Sequence, residues 1–238
     1  MKKKIFVVLF VLLAARAFSQ VNFLSPDEMQ ITIKQGVQYN LLTNLKNDQT
    51  GIFTFAELDM NELIVNTGIS STGSKIDFTL KTIYWPSFVN KKMNFGLGAL
   101  YHLYVYPELF TENDFKIGLY YRVKFLEKFS FSFDFNYLIK LAVFYDSAIP
   151  TLFNHTLNVD FFLDWQINEA LRAYTGVLAN TFFDYPLSYE PTLTLGIEKY
   201  FTEHFMLGAE FNAEWVDWVS ANANVHGVNL RLTAVYRL

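Results

Sequence analysis

Phe129-Ser130-Phe131-Ser132-Phe133-Asp134-Phe135-Asn136-Tyr137-Leu138-Ile139-Lys140-Leu141 changes character at every step. One parity is Phe, Phe, Phe, Phe, Tyr, Ile, Leu; the other is Ser, Ser, Asp, Asn, Leu, Lys. A period of two belongs to a strand with one greasy face and one wet face. A tilted strand of about 9–11 residues is long enough to cross a bilayer.

The same pattern recurs from Gln30 to Leu238 in twelve segments. They are Gln30–Leu42, Ile52–Met60, Leu63–Ser71, Lys75–Trp85, Met93–Tyr106, Phe115–Phe125, Phe129–Leu141, His155–Ile167, Leu171–Phe183, Thr192–Phe201, Phe205–Asp217 and Val225–Leu238. The second is the weakest. Phe55–Val65 also reads as a short helix in a loop, which would leave ten strands. The connections alternate. Leu126-Glu127-Lys128, Asn168-Glu169 and Thr202-Glu203-His204 are short; Pro107–Asp114, Ala142–Asn154, Asp184–Pro191 and Trp218–Asn224 are longer. Short turns on one side and longer loops on the other suit an up-and-down transmembrane barrel.

The chain opens with Lys2, Lys3 and Lys4, an apolar run from Ile5 to Ala15, and Ala17-Phe18-Ser19 before Gln20. This is the pattern of a secretory signal over residues 1–19, with residues 20–238 as a single barrel domain. The apolar run is shorter than the roughly 20 residues of a spanning helix. There is no cysteine, so a lipid-anchored lipoprotein, a disulfide framework and a thiolate metal site are all excluded. A net charge of −4 argues against a nucleic-acid partner. The chain is 52% hydrophobic and 18% aromatic, yet after the signal no apolar run reaches spanning length. A closed sheet reconciles these facts, because it leaves no backbone group unpaired in lipid.

Alternation alone does not say which face points outward; a soluble barrel alternates with its greasy face inside. Three features place it outside here. Phe125, Phe129, Trp165, Phe201, Phe205 and Tyr236 flank the short turns on the apolar parity, as an aromatic girdle does at a membrane boundary. Gly36, Gly68, Gly96, Gly98, Gly118, Gly176, Gly196, Gly208 and Gly227 all fall on the polar parity, the crowded concave side. Lys116, Arg122, Asp134, Asp160, Asp164, Arg172, Glu198, Glu210 and Arg231 lie on the same parity, where charge costs little if the lumen is wet. These nine are the candidate lumen lining.

The ending Leu230-Arg231-Leu232-Thr233-Ala234-Val235-Tyr236-Arg237-Leu238 resembles the C-terminal assembly signal of bacterial outer-membrane β-barrels, with an aromatic third from the end and Leu238 where Phe is usual. The resemblance implies location in the outer membrane, contact with its lipids and delivery by the barrel assembly machinery. Outer-membrane phospholipases also resemble the chain in having twelve strands. Their pattern places Ser two residues after a His on the outer wall; after His155 that position is Leu157, so no catalytic residue follows. Twelve-stranded porins for acidic sugars resemble the chain too, but their lumens are dominated by arginine, whereas this one balances the two signs. No metal ligand cluster or cofactor motif is present, and no cofactor is expected. Lumen charge favours a narrow porin-like channel for an unspecified small solute. The alternative is a closed barrel that binds through its loops, in particular Ala142–Asn154. His102, Tyr104, Tyr120, Phe162, Tyr174 and Tyr200 share the inward parity and could either stack a solute or fill space. Asp164 should meet Arg172 across its turn, and Glu210 should meet Arg231.

Overall fold

The computed structural model describes residues 30–42, 50–60, 63–73, 75–85, 93–181, 191–215 and 225–238. The signal reading of residues 1–19 lies outside them. Twelve strands follow in order: β1 (Gln30–Leu42), β2 (Thr50–Met60), β3 (Leu63–Thr72), β4 (Ile76–Tyr84), β5 (Met93–Tyr106), β6 (Phe110–Leu126), β7 (Phe129–Phe144), β8 (Leu152–Asn168), β9 (Leu171–Thr181), β10 (Thr192–Tyr200), β11 (Phe205–Trp215) and β12 (Val225–Arg237). Every strand is antiparallel to its neighbours in sequence, and β1 pairs with β12 to close the barrel. Ile31 and Leu238 exchange backbone hydrogen bonds of 3.3 and 2.8 Å, so both ends of the described chain meet at one rim, the terminal end.

The parity read from sequence holds. Val37, Phe95, Leu97, Ile117, Leu119, Ile197 and Leu232 are exposed on the outside, while Lys116, Asp114 and Glu198 are buried inside. A soluble barrel would reverse this. An apolar belt of this extent marks a surface built to be covered, as lipid covers the outer wall of a membrane barrel.

Three readings change. Phe55–Val65 is no helix: Thr50–Met60 and Leu63–Thr72 are paired strands, and the count is twelve. The alternation of β2 is weak because Phe53 and Phe55 point into the lumen, opposite Gly36 and Gly68. Pro107–Asp114 is not a long loop. β6 begins at Phe110, and Glu112 is held in the ladder by Lys140 at 3.3 Å. A three-residue turn remains where a longer loop was expected. Likewise β7 runs on to Phe144 and β8 begins at Leu152, so the loop after β7 is shorter than Ala142–Asn154.

The wall is uneven. β2–β4 and β9–β11 have 9 to 11 residues, whereas β6–β8 have 16 or 17. At about 3.3 Å per residue and a tilt near 40°, the short strands rise roughly 23–28 Å, about the height of an apolar band. By the same arithmetic β6–β8 rise about 40 Å and project beyond it as a tongue. The turn between β5 and β6 sits on this tongue. Leu109 N–H donates to Tyr106 O at 3.1 Å, and Glu108 has φ 67°. Position i+2 of such a turn favours glycine. Glu108→Gly is expected to raise stability by about 0.5 kcal/mol, the relief of a left-handed residue less the added chain entropy of glycine. A shift of the urea midpoint in the other direction would contradict this.

Candidate functional site

All nine candidate lumen residues point inward. Register explains which of them meet. Glu198 is the cross-strand partner of Arg172, and Arg231 is the partner of both Glu210 and Gln38. Arg172 Nη1 reaches Glu198 Oε2 at 2.7 Å, and its other nitrogen, Nη2, bonds Asp164 Oδ1. Asp164 is directly opposite Tyr174; Arg172, opposite Gln166, reaches it diagonally. Arg231 donates to Glu210 Oε1 at 3.3 Å and to Gln38 Oε1 at 2.8 Å. Glu210 also accepts from Tyr174 at 2.8 Å and from Asn212 at 2.8 Å. Lys81 stands 3.5 Å from Asp134. Charges thus ring the inner wall: Arg172 and Arg231 are held from adjacent strands, and Lys81 on β4 reaches across to Asp134 on β7.

Three cavities open onto this belt, with volumes of about 410, 650 and 320 Å³. Arg122 and Arg172 line all three. Together the cavities form a polar vestibule that reaches the short turns at the terminal end. Lys116 and Asp160 line none of the three. Lys116 lies further toward the loop end, buried, with Nζ donating to Asn158 Oδ1 at 3.0 Å. Around it the lumen is filled. Asp114, Asn136, Leu138, Asn158, Thr194 and Asn212 are all 3% exposed or less, and Thr194 donates to Asn212 at 2.6 Å. The most deeply buried side chains of the described interior belong to this layer.

The inward aromatics missed or left open in the sequence have a shared arrangement. None of the described glycines has a positive φ, so conformational freedom is not their role. Their role is space. A Cβ on Gly36 would strike the Phe53 ring, one on Gly98 the Tyr120 ring, and one on Gly196 the Tyr174 ring. At Gly96 it would come within 2.9 Å of Trp85. Each ring therefore lies flat in a notch on a neighbouring strand. On each ring rests a cation: Arg231 over Phe53 at 5.9 Å, Lys81 over Tyr120 at 4.6 Å, Arg172 over Tyr174 at 5.3 Å and Arg122 over Trp85 at 5.5 Å. These are cation–π distances. The result is a glycine–aromatic–cation stack repeated four times around the lumen. Phe162 covers Gly176 in the same way, and His102 stacks on Tyr104 at 3.9 Å. These rings pack against the wall. The sequence signal was available: a glycine on the inward parity facing an aromatic on the adjacent strand.

On the outside, Phe125 stacks with Phe129 at 5.8 Å and Phe129 with Trp165 at 5.7 Å; Phe205 meets Phe201 at 5.9 Å and Tyr236 at 5.2 Å. All six rings stand beside the short turns or the C-terminal end. His155 faces outward between Tyr137 and Phe153, at 5.9 and 6.1 Å, with Leu157 on the same face. No cluster of metal-ligating side chains occurs among the described residues.

No family model matches the chain, and no curated protein matches it in sequence. Solved structures do match. The NanC porin aligns with TM-score 0.63 and 11% identity, covering 87% of this chain and 100% of that one. The KdgM porin aligns with TM-score 0.59 and 9% identity, over 86% and 98%. The COG4313 outer membrane channel from Pseudomonas putida F1 gives 0.55 and 10%, over 92% and 98%. The chain has the fold of outer-membrane β-barrels. At such identities the likeness speaks for the architecture of the porin-like barrel and not for the solute.

Proposed function

We propose that the chain is exported by its N-terminal signal, sits in the outer membrane of a Gram-negative envelope, and conducts small polar solutes by passive diffusion. The observation that carries this reading is the water-accessible, ion-paired vestibule inside a lipid-facing barrel. Fixed charges of both signs give a narrow polar path with weak selectivity. The filled layer around Leu138 is its constriction. Membrane lipids cover the apolar wall, with the six girdle aromatics at the periplasmic boundary. The C-terminal strand Val225–Leu238 is the segment recognised by the assembly machinery. No catalysis is assigned.

Refolded protein in planar bilayers is expected to give discrete conductance steps, and Leu138→Ala is expected to enlarge them. The burial of Asp114, Asn136, Leu138 and Asn158 favours a second reading, a closed barrel that acts through its outer tongue. Silent bilayers for both the wild-type protein and Leu138→Ala would decide for that second reading.

A further inference from the structure

The four stacked cations of the lumen are not equivalent. Arg172 is held by Asp164 and Glu198, Arg231 by Glu210, and Lys81 by Asp134. Arg122 rests on Trp85, and among the described residues no carboxylate comes within ion-pairing distance of it. Its side chain is exposed to the lumen. It lines all three cavities, so a solute crossing the vestibule passes it. Lys124 lines the cavity at the terminal end, and Lys34 lines the other two. The balance of lumen charge is therefore an average: three of the stacks are neutralised locally, and the fourth is not.

We propose that Arg122, braced on Trp85 and Gly96, is an anion-binding site for small solutes that carry a carboxylate or phosphate group. This rests on the channel reading for its physiological meaning. A guanidinium offers planar paired donors that match two oxygens of an oxyanion. One face of Arg122 is taken by the indole, which removes side-chain freedom and aims the donor edge at the lumen. Less ordering is then lost when an anion binds. Gly96 is part of the site because any side chain there lifts Trp85 and tilts the guanidinium. Asp134, Asp164, Glu198 and Glu210 line a cavity with Arg122, and each already holds another cation: Lys81, Arg172, Arg172 and Arg231 in turn.

The test uses the full refolded barrel in detergent micelles, with inorganic phosphate as the probe and phosphorus NMR line broadening as the readout. Wild type is expected to broaden the phosphate line. Arg122→Gln should weaken binding by about tenfold or more, as loss of a charge-assisted pair does. Lys34→Gln should change it much less. Arg122→Lys keeps the charge without the fork and should fall between, which separates the site from a general field. Gly96→Val should weaken binding while Arg122 remains in place. Equal broadening by wild type and Arg122→Gln, or none by the folded wild type, overturns the proposal. In bilayers, phosphate should interrupt the wild-type current and not that of Arg122→Gln. A silent bilayer with intact phosphate binding would instead count against the channel alone.

Discussion

Replacing Arg172 with leucine is expected to destabilise the barrel by about 3 kcal/mol, the lower part of the range for removing one partner of a buried pair. Arg172 joins three strands: it bonds Glu198 on β10 and Asp164 on β8 from its place on β9. The Glu198 side chain is only 5% exposed, so without Arg172 its charge is stranded. Asp164 is 19% exposed and lines a cavity, so water partly replaces its partner. That difference places the estimate at the lower end. Loss of the guanidinium also uncovers the Tyr174 ring, which the cation covers at 5.3 Å. The double change Arg172→Leu with Glu198→Leu should recover much of the loss, because no charge then remains unpaired. Urea unfolding in micelles, followed by tryptophan fluorescence, measures both. A loss below about 1 kcal/mol for the single change would mean that the pair is solvated and contributes little.

The second large effect tests which face meets lipid. Leu119 is exposed on the outer face of β6, several residues above the Phe125 boundary. Leu119→Arg should cost about 2–4 kcal/mol in bilayers, the range for a cation near the midplane. Ser130→Arg introduces the same side chain on the inside, in the vestibule, opposite Asp164. Its cost should stay below about 1 kcal/mol. Folding yield into vesicles at graded urea provides the comparison. Equal costs would mean that the apolar parity does not face lipid.

The parts legible in the sequence were those governed by local geometry. Side-chain direction alternates along any strand, so Phe129 to Leu141 reveals both the element and its two faces without reference to another residue. Where reading failed, a neighbour had overruled the local signal. Glu112, Asn113 and Asp114 look like loop residues, yet they belong to a strand because Glu112 meets Lys140 and Asp114 is buried in the filled layer. Phe53 and Phe55 blur the alternation of β2 because notches at Gly36 and Gly68 accept their rings. The pairs Asp164 with Arg172 and Glu210 with Arg231 were foreseen because each spans a single hairpin. The braces Phe53 and Trp85 were not, since their importance depends on which glycine ends up beside them.

The sequence by itself determined most of the strands, their two faces and the sign of every lumen charge, because each follows from a residue and its parity. Only the tertiary structure decided which charges are neutralised, where the lumen is filled and that Arg122 is left open. Those outcomes depend on closure and register. Gln38 and Arg231 lie 193 positions apart and bond only because β1 closes against β12. A one-residue change in that register would turn the same side chains to opposite faces.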